Sequence, residues 1–237
     1  MKTSPVETLT PPPHYAVGES PAPAKSRFWD KVARKYAADP IADMVGYERT
    51  LASLHQWLRP TNRVLEIGCG TGTTALRLAP LVASYLGTDV SAHMVAIARE
   101  KLAVHPRPSL QFDAADADAP LANGPHYDAI LAFSVLHLVE DLYATTAACA
   151  AALVPGGLLI SKTPCLAEMN PLIPWVLVPL MRAFGKAPPL HNLDQATLCA
   201  AMQRQGLEIL AVERHAGKGR DVRPFIVARK SVLDSVK

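Results

Sequence analysis

A glycine-rich run at residues 68–72, with the sequence G-C-G-T-G, has the residue types and spacing of a nucleotide-binding loop. It follows a short apolar segment at 63–67 that is typical of a buried strand, and a helix-like segment at 73–79 begins directly behind it. Glycines permit a sharp turn and let a ligand lie against bare backbone. A helix N-terminus adds unpaired N–H donors and a partial positive charge. The three elements together predict a nucleotide cradle.

The spacing of the glycines separates two kinds of nucleotide site. A dinucleotide-binding loop has the pattern G-x-G-x-x-G, but the third glycine position is occupied here by Thr73. The loop also lacks the lysine and the spacing of a P-loop. It has instead the pattern E-x-G-x-G-x-G, formed by Glu66, Gly68, Gly70 and Gly72. This pattern resembles the first motif of the class I S-adenosylmethionine (SAM)-dependent methyltransferases. The resemblance implies that Glu66 and the loop, with the main chain of Cys69, hold SAM.

Asp89 ends the next strand-like segment, 85–90, about twenty residues after the glycine loop. A carboxylate at that point of such folds can accept hydrogen bonds from ribose hydroxyls. Ser91 is suited to cap the helix that follows. The resemblance assigns the ribose hydroxyls to Asp89 and places Val90 and Met94 along the adenine. A helix cap or a loop charge is the alternative interpretation of Asp89.

The alternation of Leu110 and Phe112 indicates a third strand, which precedes Asp116 and Ala117. The resemblance implies that the Asp116 carboxylate accepts the exocyclic amine of adenine and that Ala117 lies against the ring. The family more often has glycine before this aspartate, whereas this chain has Ala115.

An apolar run at 129–133 suits a strand buried on both faces. In members of the family, the end of this strand borders the methionine part of SAM. The resemblance therefore makes Phe133 and Ser134 candidates for the wall of the site beside the methionine. His137, just beyond, is a candidate catalytic base or a residue that aligns the substrate. A buried structural histidine is the alternative.

The first 26 residues are rich in proline and poor in large apolar residues, so we expect a disordered tail at 1–26 and a folded domain at 27–237. The tail lacks the pattern of a secretory signal. The helix expected at 28–37 carries the sequence W-x-x-x-A-x-x-Y, which is similar to the helix that covers the cofactor in small-molecule SAM methyltransferases. The resemblance puts Tyr36 near the methionine end of SAM as a second catalytic candidate, and a packing aromatic is the alternative.

The remaining segments predict an α/β fold. A helix at 142–153 is expected to end at a Pro-Gly-Gly turn, followed by strands at 158–163, 207–213 and 224–229. The resemblance implies a Rossmann-like seven-stranded, mostly parallel sheet with the strand order 3-2-1-4-5-7-6, an antiparallel last strand and helices on both faces. Helical lid elements are expected at about 27–58 and 166–205.

A strongly apolar segment at 169–181 is too short and too often interrupted by proline to span a bilayer. We interpret it as a lid over the acceptor pocket, and a core or dimer contact or an interfacial membrane contact are the alternatives. The residues expected to face the substrate are Trp175, Met181, Phe184 and His191.

Composition sets further limits. A net charge of +3 over 237 residues is too small to imply nucleic acid or an anionic membrane as a partner. The four cysteines have no metal-ligand spacing, so no metal is expected, and free thiols without a secretory signal fit the cytoplasm. Whether the chain forms a homodimer is left open.

The activity expected from these residues is methyl transfer from SAM to a small, partly apolar molecule by in-line displacement. A Rossmann-type NAD-dependent dehydrogenase is an alternative, disfavoured by the missing third glycine. A non-catalytic SAM-binding regulator is another, because every motif named here binds cofactor. An RNA or protein methyltransferase is disfavoured because no N-P-P-Y-like tetrapeptide follows the fourth strand.

Overall fold

A central sheet organises the chain in the computed structural model, which describes residues 23–119, 121, 126–169 and 190–232. The strands are β1 (Arg63–Ile67), β2 (Ser84–Asp89), β3 (Leu110–Ala114), β4 (Tyr127–Phe133), β5 (Leu153–Lys162), β6 (Leu207–Glu213) and β7 (Phe225–Lys230). Their order in the sheet is β3-β2-β1-β4-β5-β7-β6. Strand β7 pairs antiparallel with both of its neighbours, and the other pairs are parallel. The predicted fold class and strand order are confirmed.

Helices cover both faces of this sheet. The described helices are α1 (Pro23–Ala38), α2 (Met44–Trp57), α3 (Thr73–Leu78), α4 (Ala92–Val104), α5 (Leu142–Ala152) and α6 (Gln195–Gln203). Helices α2, α3 and α4 share one buried cluster with the sheet, and α5 and α6 share the other. Successive residues of β4 alternate between the two clusters, as a strand buried on both faces requires.

Helix α1 lies outside these two layers and packs on α4. Ala33 of α1 is buried against Met94 and Ile97, and the Arg34 guanidinium makes a two-bond ion pair with Glu100. The helix begins at Pro23, four residues before the boundary expected at Arg27. Proline is favoured in the first turn of a helix, because the N–H that it lacks has no intrahelical partner there.

The Pro-Gly-Gly segment is not the helix stop and turn that the sequence predicted. Helix α5 ends at Ala152, and β5 begins at the next residue. Leu153 pairs with Tyr127 and Leu158 with Ala129, so the intervening residues form a bulge in an extended strand. Gly156 has a φ of +79°, a conformation that favours glycine.

No helix within the described ranges combines the length and the apolar character needed to cross a membrane. The same ranges hold no group of three His, Cys, Asp or Glu side chains arranged to bind a metal ion.

Candidate functional site

The glycine loop follows β1 at the edge of the sheet where the parallel strands end. β2 lies on one side of β1 and β4 lies on the other, so the strand order reverses at this point. Gly68, Gly70 and Gly72 have φ values of +69°, +54° and +73°. The Cys69 N–H donates to the Thr88 carbonyl at 2.8 Å, which ties the loop to β2. Ligands of open α/β sheets bind at such a point, in the crevice beyond the strand ends.

Two of the glycines are also required by space. A Cβ atom at Gly68 would lie 2.6 Å from a methyl carbon of Val135, and one at Gly72 would lie 2.6 Å from the ring of Phe112. The side chains of Val135 and Phe112 therefore leave no room for a Cβ atom at Gly68 or Gly72.

Asp89 joins the tip of β2 to the glycine loop. Its Oδ2 accepts the Gly70 N–H at 2.8 Å and its Oδ1 accepts the Ser91 N–H at 2.9 Å. Burial raises the pKa of Asp89, while these two N–H donors lower it and so favour the carboxylate. Ser91 caps α4 by accepting the Met94 N–H at 3.1 Å. The carboxylate is thus held in place and retains a second lone pair on each oxygen for a ligand.

A crevice of about 620 Å³, open to solvent, lies between these elements and α1. The sequence-predicted residues that line it are Tyr36, Gly68, Gly70, Asp89, Val90, Met94, Asp116, Ala117, Phe133 and Ser134. Among the other predicted cofactor residues, Glu66 and Cys69 line a neighbouring cavity instead, and Gly72 lines neither.

Lys25 on α1 also lines the crevice, and the sequence analysis missed it. Its Nζ donates to Asp116 Oδ1 at 2.8 Å and also to Asp118. Burial lowers the pKa of Lys25, but the hydrogen bonds and charges of the two aspartates outweigh it and raise the pKa overall. Lys25 is more than ninety positions from both aspartates in the sequence, so no local sequence pattern could have indicated this contact.

Ser134 is held in an unusual conformation where β4 ends. Its φ of +52° is the one left-handed value found for a residue other than glycine in the described chain. Its N–H donates to the Lys162 carbonyl at 2.9 Å, so the end of β5 fixes this turn. Such conformations cluster at ligand sites.

A second cavity of about 1410 Å³, also open to solvent, adjoins the crevice. Tyr36, Gly68, Gly70, Phe133 and Ser134 line both spaces and form their junction. The second cavity adds polar side chains that the sequence analysis did not single out, namely Asp43, Tyr47, Thr50, Lys162 and Arg223.

Glu66 lies in the wall of this second cavity. Burial raises its pKa to about 7, the hydrogen bond from the Tyr85 hydroxyl at 2.8 Å opposes that shift, and the Asp89 charge adds to it. Burial in the folded protein is therefore the main cause of the shift in its pKa.

Tyr36 stands at the junction, with its ring close to Gly70 and packed edge-on against Trp29. Partial burial and the carboxylates of Asp89 and Glu66 raise its pKa, which keeps the phenol neutral at ordinary pH. The side chain is nevertheless 54% exposed.

His137 lines neither the crevice nor the second cavity. Its Nδ1 is buried and has no hydrogen-bond partner in the described part of the chain. Burial and the neighbouring His191 lower its pKa to about 4. The His191 N–H donates to the His137 carbonyl at 2.9 Å, so these two predicted residues lie together. The remaining substrate candidates, Trp175, Met181 and Phe184, lie outside the described residues.

The sequence matches a family model described as a methyltransferase domain over residues 65–159. A ubiquinone biosynthesis O-methyltransferase from Chelativorans sp. (strain BNC1) is 33% identical over 135 residues, which are 57% of this chain and 51% of the relative. The chain thus spans about half the length of that relative.

Solved structures share the fold. One is the magnesium protoporphyrin IX methyltransferase from Synechocystis PCC 6803, solved with bound SAH. It has a TM-score of 0.65 and 20% sequence identity, and the alignment covers 87% of this chain and 98% of that protein's chain. An S-adenosylmethionine dependent methyltransferase from Mesorhizobium loti has a TM-score of 0.63 at 21% identity, with coverage of 76% and 96%. At these identities the likeness concerns the fold alone.

Proposed function

We propose that the chain is a class I SAM-dependent methyltransferase, which transfers a methyl group from SAM to a small, partly apolar acceptor. The observation that carries this proposal is the link between Asp89 and the E-x-G-x-G-x-G loop. One carboxylate accepts the N–H groups of both Gly70 in the loop and Ser91 at the cap of the next helix, and it lines the crevice.

The residues present fit an adenosyl group. The loop glycines hold conformations and close approaches that exclude side chains, which leaves bare backbone for a ligand. We assign the ribose hydroxyls to the Asp89 carboxylate and the adenine face to Val90 and Met94. Within the described residues, the Asp116 carboxylate accepts two hydrogen bonds, from Lys25 Nζ and from the Asp118 N–H, and both go to Oδ1. We therefore assign the exocyclic amine to Asp116 Oδ2, with Ala117 against the ring.

Bound SAM would supply a methyl group on a positively charged sulfur. The protein's task is to hold the acceptor in line with that methyl, and good orientation can contribute up to roughly 7–11 kcal/mol. We propose that Phe133 and Ser134 form the wall at which the two spaces meet and that Tyr36 covers the junction as a neutral phenol. The aromatic side chains of Tyr36, Tyr47 and Phe133 in the lining of the second cavity suit a partly apolar acceptor.

The second cavity is our candidate acceptor site, and Tyr36 is a candidate to contact the acceptor there. His137 and His191 lie together beside the crevice, and His137 stays a predicted base. Trp175, Met181 and Phe184 stay predicted substrate contacts. We also propose a methyltransferase domain that includes all of α1 and has helical lid elements and, because all four cysteines are free thiols, a cytoplasmic location.

Calorimetry with SAM, its demethylated product S-adenosylhomocysteine (SAH) and NAD tests this function. We expect SAM and SAH to bind in the micromolar range and NAD to show no binding. Preferential binding of NAD would replace the proposal with the dehydrogenase alternative. A screen of small acceptors with radiolabelled SAM then separates a transferase from a protein that only binds the cofactor.

A further inference from the structure

A chain of hydrogen bonds runs from the second cavity to the protein surface. Lys162 Nζ donates to Thr50 Oγ1 at 2.6 Å, Thr50 Oγ1 lies 3.0 Å from His215 Nδ1, and His215 Nε2 lies 2.8 Å from Glu213 Oε2. Lys162 and Thr50 line the cavity. Thr50 and His215 are only 5% and 6% exposed, whereas the Glu213 side chain is 37% exposed.

Lys162 is placed beside the junction of the two spaces. It is the last residue of β5 and pairs with Phe133, the last residue of β4. Its carbonyl accepts the Ser134 N–H, so the two residues of the junction wall and Lys162 are fixed to one another by sheet bonds. Lys162 lines the second cavity, and Phe133 and Ser134 line it where it meets the crevice.

We propose that Lys162 takes the proton of a phenolic methyl acceptor, and that Thr50, His215 and Glu213 pass that proton to solvent. This inference rests on the proposed function. The aromatic side chains of Tyr36, Tyr47 and Phe133 line the same cavity, so it offers a phenol ring flat apolar partners beside the amine. Lys162 is then a catalytic residue, and the other three are positioning residues that act through it.

The proton transfers balance along the chain. The O–H bond of the phenol breaks, its proton binds the lone pair of the neutral Lys162 amine, and the oxygen keeps the electron pair with which it attacks the methyl carbon. Lys162 then gives a proton to Thr50 Oγ1 while the Thr50 hydroxyl proton moves to His215 Nδ1. The proton on His215 Nε2 moves to Glu213, from which water removes it. The Thr50 hydroxyl also lies 2.8 Å from the Gly46 carbonyl, so it turns between two acceptors.

The surroundings of Lys162 favour the neutral amine more than solvent does. Burial lowers its pKa and the Arg223 guanidinium adds to this, while Asp43 and Asp221 raise it. Both aspartates are occupied by backbone donors. Asp43 accepts the Gly46 and Gly217 N–H groups, and Asp221 accepts three others from residues 215, 216 and 223. Glu66 lines the same cavity, and its own raised pKa reduces its negative charge near neutrality.

The first experiment measures ionisation without methyl transfer. 4-Nitrophenol is the probe, because its phenolate absorbs visible light and its phenol does not. We expect the probe bound to the protein with SAH to ionise at a lower pH than free probe, since its proton moves to Lys162. In Lys162→Met the bound probe should ionise at or above the pH of free probe. Lys230→Met is the matched control, because Lys230 donates to two carbonyls at the opposite end of the sheet.

The second experiment compares kcat for a series of phenols from unsubstituted phenol to 4-nitrophenol. A general base contributes typically about 10²–10⁴-fold, so Lys162→Met should lose at least about 100-fold on phenol. At pH 8 it should lose little on 4-nitrophenol, which is already largely ionised at that pH. Lys162→Arg retains charge and hydrogen bonding but cannot take the proton, and it should be as defective on phenol. Glu213→Gln should lower kcat on phenol, while Glu208→Gln on the same strand should not.

Several results would overturn the inference. These are a wild-type protein that binds SAM but no phenol, a Lys162→Met variant that ionises the probe like wild type, and an equal loss of kcat across all the phenols. A larger loss on 4-nitrophenol than on phenol would make Lys162 an anchor for anions. Failure of wild type to bind SAM would instead count against the proposed function, and the melting temperature of each variant shows whether it is folded.

Discussion

Replacing Glu66 with glutamine tests how burial controls the chemistry at the end of β1. Burial raises the pKa of Glu66 to about 7 from its ordinary value of 4.5. The folded state therefore holds a proton on this carboxyl in a pH range where the unfolded chain has released it. This contribution to stability is fully present below pH 4.5 and is lost as the pH rises through 7.

The size of the effect follows from the difference between the two pKa values. At 1.36 kcal/mol per pKa unit, a difference of about 2.5 corresponds to about 3 kcal/mol of unfolding free energy. Most of it, roughly 2–3 kcal/mol, falls between pH 5 and pH 8. Glutamine has the shape of the protonated acid and can accept the hydrogen bond from the Tyr85 hydroxyl, but it does not ionise.

Urea unfolding of wild type and of Glu66→Gln at pH 5, 6, 7 and 8 measures this difference directly. We expect the variant to gain about 2–3 kcal/mol relative to wild type as the pH rises across that interval. Glu208→Gln is the control, because Glu208 lies exposed on β6 in an ion pair with Arg229. A stability difference that stays constant from pH 5 to pH 8 would refute the argument that burial keeps Glu66 protonated.

Two further variants test the cofactor site. Asp89→Ala should weaken SAM binding by more than tenfold in calorimetry, the scale of losing charge-assisted hydrogen bonds of about 1.5–3 kcal/mol. The exposed Asp113→Ala should bind SAM like wild type, and an unchanged affinity in Asp89→Ala would remove that residue from the site. Gly68→Ala should lower the unfolding free energy by about 1–3 kcal/mol more than Gly219→Ala. Both glycines have φ near +70°, but only the first would bring a Cβ into Val135; equal losses would mean that backbone strain alone explains the glycine.

The sequence located the cofactor loop because its information is local. A turn through Gly68 and Gly70 needs glycine, and the strand before it and the helix behind it are signalled by adjacent residues. Asp89 was found for the same reason, because it follows its own strand and precedes the cap at Ser91. The strand order came from the resemblance of these motifs to a family, and the structure confirms it.

Some local signals were misleading where strand pairing decided the outcome. The Pro-Gly-Gly segment predicts a turn from its residue types, yet pairing with β4 continues on both sides of it. The segment therefore forms a bulge in the strand, with Gly156 at positive φ. The first helix likewise begins earlier than composition suggested, and its Lys25 reaches Asp116 across the crevice.

The sequence by itself determined the residues whose effect depends on their immediate neighbours, such as the glycine loop, the acid that ends β2 and the alternation of the buried strands. Only the tertiary structure decided which distant side chains meet in a cavity or in a chain of hydrogen bonds. Thr50, Lys162 and His215 come from α2, from the end of β5 and from the loop before β7. The reason is physical. Turn and strand preferences act over a few residues, whereas burial and the hydrogen bonds between elements exist only after the helices have packed on the sheet.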